Sequence, residues 1–272
     1  MKDERIAYFS MEIGLDAGIP TYSGGLGVLA GDTLKSAADL GLPVVAVTLL
    51  CRSGYFRQEL SAAGRQSEHP VEWRPEEVMK KRPEEVTVSI EGREVKVAAW
   101  EYRVRSLAGG RVPVFFLDTD LEGNSGEDRR ITEHLYGGDE AYRLKQEIVL
   151  GIGGVRMLRE FGIPVIKYHL NEGHSALLTL ELLHWYRRDV KQVWDENLVW
   201  DFEAVRERCI FTTHTPVEAG HDKFSHELTE RVLGHPLPPE VLQELAGRDH
   251  LNMTLLALNL SNYVNGVAKK HG

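Results

Sequence analysis

Three glycines in the segment TYSGGLGVLAGD (21–32) have the type and spacing to bind an anion through the protein backbone. Gly24, Gly25 and Gly27 stand just before an apolar stretch that predicts a helix over 28–40. Glycine lets the backbone approach a ligand with no side chain in between, and the first N–H groups of a helix have no intrahelical partner. Because the helix dipole adds positive potential there, the segment predicts an anion site, most often one for a phosphate.

The run GLGVLA (25–30) also matches the dinucleotide-binding pattern G-x-G-x-x-G/A. In that fold the first strand leads directly into the first glycine, whereas here about a dozen residues separate it from the strand predicted over 5–12. Arg52 stands where an acidic residue would bind the ribose, although it could hold a 2′-phosphate instead. An NADP-dependent oxidoreductase is therefore a remote alternative, and a Walker loop is excluded because no Gly-Lys-Ser/Thr follows.

Polar residues also follow two of the predicted strands. Residues 171–174 come after a strand predicted over 165–170, and residues 214–222 come after one predicted over 208–213. Ligands of open α/β sheets bind outside the carboxyl ends of the strands, so both loops are candidate sites. His214 is the stronger candidate, since it stands directly after a buried strand in a loop.

Three other polar residues have a structural explanation beside a functional one. Asp139 stands next to two glycines and could be an ordinary turn residue, while Glu172 and His174 could stabilise the start of a helix. The histidines show no metal-ligand spacing, and Asp118-x-Asp120 lacks the later ligands of a calcium loop. We therefore predict no metal site.

The elements that must position these residues alternate between strands and helices. This order favours a doubly wound, Rossmann-like α/β sheet with helices on both faces and a small β-hairpin insertion. Strands are predicted over 5–12, 43–50, 86–90, 95–104, 112–117, 165–170 and 208–213, with 86–104 as the hairpin. Helices are predicted over 28–40, over 141–161, from a cap at Asn171 to Tyr186, and over 251–270. The glycines at 151–154 predict close packing of the second helix, and 65–82 is expected to be a surface excursion.

Bulk properties exclude several functional classes. The formal net charge of −9 argues against nucleic acid as the main partner. No apolar run is long enough to span a bilayer and no secretory signal is present, so we expect no membrane partner. Cys51 and Cys209 lack C-x-x-C spacing, which favours a reduced, cytoplasmic location.

Six motifs together resemble one enzyme family. They are YFSME (8–12), the glycine segment, LYGGD (135–139), RLKQE (143–147), HLNEGH (169–174) and FTTHTP (211–216). They occur in the same order in the α-glucan (glycogen and maltodextrin) phosphorylases, and the resemblance covers essentially all 272 residues. The glycine segment also resembles that of the starch and glycogen synthases, which share the two-domain GT-B architecture.

The resemblance implies a retaining transfer of glucose between the non-reducing end of an α-1,4-glucan and phosphate, giving glucose 1-phosphate. In that family pyridoxal phosphate, held by a lysine, supplies a phosphate group as proton relay. Residue by residue, the family pattern implies backbone contacts to phosphate and glucose from Gly24, Gly25 and Leu26, and glucose binding by His214, with Thr215 next in its loop. It also implies a gating carboxylate at Asp139 and an acceptor-glucan pair at Glu172 and His174. Ser23 replaces a usual Asn, and Glu172 a usual Asp.

The lysine that holds pyridoxal phosphate in the family lies in a Ser-Asn-Met-Lys stretch that this sequence lacks. We therefore expect 1–272 to be the N-terminal, glucan-facing domain without the C-terminal cofactor domain, inactive alone and with no cofactor bound. The expected partners are a glucan or maltooligosaccharide, phosphate or glucose 1-phosphate, the C-terminal domain or subunit, and further copies of the chain through exposed interdomain surface. The alternatives are a non-catalytic glucan- or partner-binding module and half of a nucleotide-sugar glycosyltransferase.

Overall fold

A computed structural model describes residues 4–193, 199–214 and 221–269. The strands are β1 Arg5–Ser10, β2 Val44–Leu49, β3 Arg57–Leu60, β4 Gln66–His69, β5 Lys80–Ile90, β6 Arg93–Arg105, β7 Arg111–Asp118, β8 Val165–Asn171, β9 Cys209–Thr213, β10 Lys223–Ser225, β11 His250–Asn252 and β12 Tyr263–Gly266. The helices are α1 Gly25–Asp39, α2 Pro75–Val78, α3 Glu140–Ile148, α4 Gly154–Glu160, α5 Leu178–Trp185, α6 Phe202–Arg206, α7 His226–Leu233, α8 Pro239–Ala246 and α9 Met253–Asn259.

Eight strands form the central sheet, in the order β12-β9-β8-β1-β2-β7-β6-β5. The strands from β12 to β7 pair in parallel, while β6 and β5 are antiparallel. The predicted hairpin is present, and its second strand pairs with β7, so it forms one edge of the main sheet. The mostly parallel α/β fold predicted from the sequence is confirmed.

Hydrophobic residues on the two faces of the sheet form separate cores. Ala7 and Phe9 of β1 enter one core and Tyr8 enters the other, as expected from the alternation of side chains along a strand. Helix α1 covers the second core with Leu34, and α3, α4 and α5 contribute to the first. The sheet is therefore wound on both faces, and all six residues of β2 are buried.

The helix predicted over 141–161 is interrupted by a π-helical turn at Val149–Gly153, which separates α3 from α4. A Cβ at Gly151 would lie 2.7 Å from the backbone nitrogen of Leu178, and one at Gly154 would lie 2.7 Å from the Phe9 ring. The close packing predicted for these glycines is confirmed. The extra residue of the π turn accompanies this close approach of the helix to β1 and to the start of α5.

Two sequence predictions are wrong because pairing and turn geometry outweigh periodicity. Asn171 ends β8 and caps no helix; a 3₁₀ turn at Gly173–Ser175 follows, and α5 begins only at Leu178. The helix predicted over 251–270 is α9 alone, since Tyr263–Gly266 forms β12 beside β9. The segment 65–82 also contains β4, α2 and the start of β5.

Candidate functional site

The sheet order brings the candidate residues to one edge. β9, β8 and β1 are parallel neighbours, so the loops that follow them leave from the same carboxyl ends. His214 follows β9, Glu172 follows β8, and the glycine segment follows β1. This edge is where ligands bind in open α/β sheets.

The glycine turn is held by a buried carboxylate. Oε2 of Glu12 accepts hydrogen bonds from the backbone N–H groups of Ser23, at 2.6 Å, and Gly24, at 3.2 Å. Gly24 is the N-cap of α1, and a Cβ added at Gly24 or Gly25 would meet no atom within 4 Å. Since Glu12 occupies the Gly24 N–H, the N–H groups of Gly25 and Leu26 at the helix start are the ones that suit an anion.

Tyr136 joins the LYGGD segment to this turn. Its hydroxyl donates a hydrogen bond to Oε1 of Glu12 at 3.0 Å. Burial raises the pKa of Tyr136 well above its usual value, and the nearby Glu12 charge adds to that shift. The phenol therefore keeps its proton and remains the donor.

Asp139, in the same segment, caps a helix. Its exposed side chain accepts a hydrogen bond from the backbone N–H of Tyr142 at 2.9 Å, at the start of α3. This is the ordinary structural explanation that the sequence allowed. Its gating role stays a prediction.

Glu172 holds the backbone of His214. Its Oε2 accepts the His214 N–H at 2.6 Å, and its Oε1 lies within hydrogen-bonding distance of the Gly173 N–H and the Thr213 hydroxyl. The side chain is buried, and the residue has φ 68° and ψ 174°. That backbone region belongs almost entirely to glycine and costs about 1–3 kcal/mol for another residue. A strained conformation here thus directs a buried carboxylate at the candidate sugar-binding residue.

His214 is also held by its side chain. Its Nε2 lies 2.5 Å from Oδ1 of Asn171, so the ring carries a proton on Nε2. Nδ2 of Asn171 donates to the Ser10 hydroxyl at 3.0 Å, and that hydroxyl donates to the Glu12 carbonyl at 2.7 Å. One polar chain therefore runs from the residue that holds the glycine turn to His214.

His174 lies in a second polar group. Its Nε2 is 3.4 Å from Oδ2 of Asp222, which also binds the Arg143 guanidinium at 2.5–2.7 Å. The His174 ring packs 5.7 Å from the Tyr136 ring, centroid to centroid. Burial lowers the pKa of His174, while Asp222 acts in the opposite direction. Nε2 is thus the ring nitrogen that faces Asp222, while Nδ1 is buried and has no hydrogen-bond partner among the described residues.

The remaining sequence candidates are outside this arrangement. Thr215 lies outside the described residues. Arg52 pairs with Asp118 at 2.6 Å and Asp120 at 3.4 Å, so its guanidinium is engaged and does not favour the NADP alternative. Among residues 4–193, 199–214 and 221–269, no group of three or more potential ligands could hold a metal ion. None of the described helices is long and apolar enough to cross a membrane.

Sequence reasoning missed five residues of the site. Glu12, Tyr136 and Arg143 stand inside motifs that were recognised, but nothing in their spacing revealed what they bind. Asn171 was misread as a helix cap, and Asp222 was only the end of a loop. Glu12 binds a turn 11 and 12 positions away, and the other contacts join residues 43 to 161 positions apart, which no local pattern encodes.

No protein-family model matches the chain. It is similar to the maltodextrin phosphorylase of Thermococcus litoralis, with 43% identity over 280 residues that cover 99% of this chain and 32% of that protein. The glycogen phosphorylase of Mycobacterium tuberculosis is 39% identical over 98% of this chain and 33% of its own length. That of Aquifex aeolicus is 31% identical over 98% of this chain and 40% of its own length. The chain thus spans about a third of the length of these curated relatives. Along nearly its whole length, the chain is similar to maltodextrin and glycogen phosphorylases.

Proposed function

We propose that this chain is the N-terminal, glucan-facing domain of an α-1,4-glucan phosphorylase. The intact enzyme would transfer glucose, with retention, between the non-reducing end of a glucan and phosphate, giving glucose 1-phosphate. The observation that carries the proposal is the polar chain Glu12–Ser10–Asn171–His214, which couples the glycine turn to His214 at one sheet edge.

The glycine turn and His214 would act on the same glucosyl group. The N–H groups of Gly25 and Leu26, at the positive end of α1, would face the phosphate. The fixed His214 would hold the glucose, with its carbonyl near the anomeric carbon where positive charge develops. Thr215 and Asp139 would complete this side of the site, and none of these roles needs a metal.

Pyridoxal phosphate would supply a proton-relay phosphate in the intact enzyme, but the described site residues do not fit it. None of the site residues named above is a lysine that could hold the cofactor, and the Arg143 guanidinium is already paired with Asp222. We therefore assign the cofactor to the C-terminal domain and derive no step through it.

Glu172 and His174 would form the acceptor-glucan side. Both are buried; Glu172 binds the His214 N–H and His174 lies against Asp222, so we propose that they shape this wall by fixing the His214 backbone and Asp222. The other partners that we propose are the C-terminal domain or subunit and further copies of this chain, in the cytoplasm.

Calorimetric titration with maltooligosaccharides and with glucose 1-phosphate tests the proposal. We expect both ligands to bind, and expect His214→Ala to weaken binding at least tenfold because the ring contact is lost. The matched control is His235→Ala, since that ring is 65% exposed and pairs with Glu230 at 3.1 Å beyond α7. Equal weakening by both variants, or no binding of either ligand, would contradict the proposal.

The same titration separates the alternatives. Binding of maltooligosaccharide without glucose 1-phosphate would indicate a non-catalytic glucan-binding module. Preference for a nucleoside-diphosphate glucose would indicate a synthase-like glycosyltransferase half. Glucose 1-phosphate formation by this chain alone, from maltodextrin and phosphate with pyridoxal phosphate added, would contradict the half-enzyme proposal.

A further inference from the structure

Glu147 is a buried acid with no role in the site as described so far. It stands in the last turn of α3 and is fully inaccessible to solvent. Within the described part of the chain, neither of its carboxyl oxygens meets a hydrogen-bond donor. A lone buried carboxylate is strongly unfavourable, so such a group calls for a partner or a proton.

The neighbour of Glu147 is a second carboxyl group, that of Asp222. Arg143 stands four residues before Glu147, on the same face of α3, and binds Asp222, so Asp222 lies on the side of the helix that carries Glu147. Burial raises the pKa of Glu147 well above its usual value, and the charge of Asp222 raises it further. Asp222 itself accepts from Arg143 and lies beside Nε2 of His174, which identifies it as the ionised member of the pair.

The other charged groups around Glu147 are engaged elsewhere or exposed. Arg143, one turn earlier on α3, acts against the shift but binds Asp222. Lys145 pairs at 2.9 Å with Glu91, in the turn between β5 and β6. On α7, which packs on α3, the charged side chains Glu227, Glu230 and Arg231 are exposed. The π turn that follows Glu147 is apolar and buried.

We propose that Glu147 and Asp222 share one proton, and that this carboxyl pair positions His174. The proton resides on Glu147, whose hydroxyl donates to the Asp222 carboxylate. Asp222 then keeps its remaining lone pairs for Arg143 and for the Nε2–H of His174. If Glu147 were ionised, the two adjacent carboxylates would repel each other, and this repulsion would push Asp222 away from Arg143 and His174.

In the proposed function, His174 belongs to the acceptor-glucan side of the site. Glu147 would then be a positioning residue for that side, and this consequence rests on the proposed function. Asp222 follows His214 by eight positions in the sequence. Asp222 is fixed by α3 and His214 by Glu172, so both residues are tied to the framework of the domain. The proton-sharing itself can be measured on the chain alone, without any sugar.

Infrared spectroscopy tests for the shared proton directly. At neutral pH we expect the carbonyl stretch of a protonated carboxylic acid in the unaltered protein and its loss in Glu147→Gln. The matched control is Glu181→Gln, since that buried carboxylate forms a two-pronged ion pair with Arg156 at 2.8–2.9 Å and should be ionised. A spectrum without the acid band, or a band that survives Glu147→Gln, would overturn the proposal.

The positioning role has its own readout in the NMR titration of the His174 ring. Glu147→Gln keeps a hydrogen-bond donor to Asp222, so the pH midpoint of the His174 titration should not change. Glu147→Met removes the donor and leaves Asp222 a stronger acceptor, so the midpoint should rise. An unchanged midpoint in Glu147→Met would refute the positioning role. If Glu147→Met fails to fold, a midpoint that moves in Glu147→Gln refutes it and an unmoved one supports it.

The infrared and NMR results are independent of glucan binding. Loss of sugar binding with an intact acid band would refute the proposed function and leave the carboxyl pair standing. Sugar binding without the acid band would refute the carboxyl pair and leave the proposed function standing.

Discussion

At the scale of single residues, the site depends on side chains that bind the protein's own backbone. Glu12 binds the glycine turn and Glu172 binds the N–H of His214, and both carboxylates are buried. A buried carboxylate is stabilised when several N–H groups converge on it, and it then fixes the loops that supply them. The glycine turn and the His214 backbone are therefore held in place by the protein itself.

Glu172 offers a test of the strain at this position. At φ 68° and ψ 174° a glycine is unstrained whereas an alanine is not. Both Glu172→Gly and Glu172→Ala lose the hydrogen bond to His214, so the difference between their unfolding free energies reports the backbone strain. We expect the alanine variant to be less stable than the glycine variant by about 1 kcal/mol in urea unfolding. If the alanine variant were the more stable one, as is usual at positions with ordinary backbone angles, the conformation at Glu172 would be unstrained.

His169 predicts a dependence of stability on pH. Burial, with a smaller contribution from His214, lowers the pKa of His169 to about 4. A histidine with a lowered folded pKa contributes stability above its unfolded value near 6.5, and this contribution is lost as the pH falls towards 4. The full effect is of order 3 kcal/mol at most.

The matched variant is His169→Gln, which can still bond to Thr212 but does not titrate. Between pH 7 and pH 4.5, the unaltered protein should lose more unfolding free energy than this variant in urea titrations. Parallel losses in the two proteins would assign the pH dependence to other groups.

At the scale of elements, the sequence predicts the sheet better than the turns around it. The apolar strands at 43–50 and 112–117 are found within one or two residues, because burial on both faces leaves a continuous apolar run. The start of α1 was missed because its N-cap, Gly24, forms no side-chain hydrogen bond that the sequence could reveal. Strand β12, after α9, was missed because pairing at a sheet edge leaves only a weak local signal. The anion site at the glycines stays a prediction, and the hydrogen bonds from this turn to Glu12 were not anticipated.

The glycines of α1 also serve packing. A Cβ at Gly31 would lie 1.8 Å from the carbonyl oxygen of Gly14, so the helix touches the loop that precedes it. Gly31→Ala should therefore shift α1 and destabilise the protein by about 3 kcal/mol in thermal or urea unfolding. Gly126→Ala is the control, because a Cβ there meets nothing within 4 Å and stability should change by less than about 0.5 kcal/mol. Similar losses in both variants would argue against this close contact.

At the scale of the whole molecule, one edge of the sheet is exposed at β12. Tyr263 is 63% exposed and Val264 is 42% exposed on this outermost strand, with Leu255 and Leu258 of α9 also exposed. Among the described residues β12 pairs with β9 on one side only, and an edge strand with apolar side chains favours pairing with another chain. This is the surface through which we expect copies of the chain to associate.

Sedimentation velocity over a range of concentrations checks this expectation. Val264→Lys should lower the self-association constant several-fold, because a charge on an edge strand opposes pairing. Val190→Lys is the matched control, since that valine is 50% exposed in a 3₁₀ turn far from β12 in sequence. A chain that stays monomeric at all concentrations would remove the expectation.

The bond between Ser10 and Asn171 closes a separation of 161 residues, and the one between Glu12 and Tyr136 closes 124. On a ribosome, the first strand must therefore wait for most of the domain to be synthesised before its polar partners arrive. Sugar affinity should emerge late and abruptly along a series of stalled nascent chains, once β9 has left the exit tunnel, and it would then report that the domain has folded.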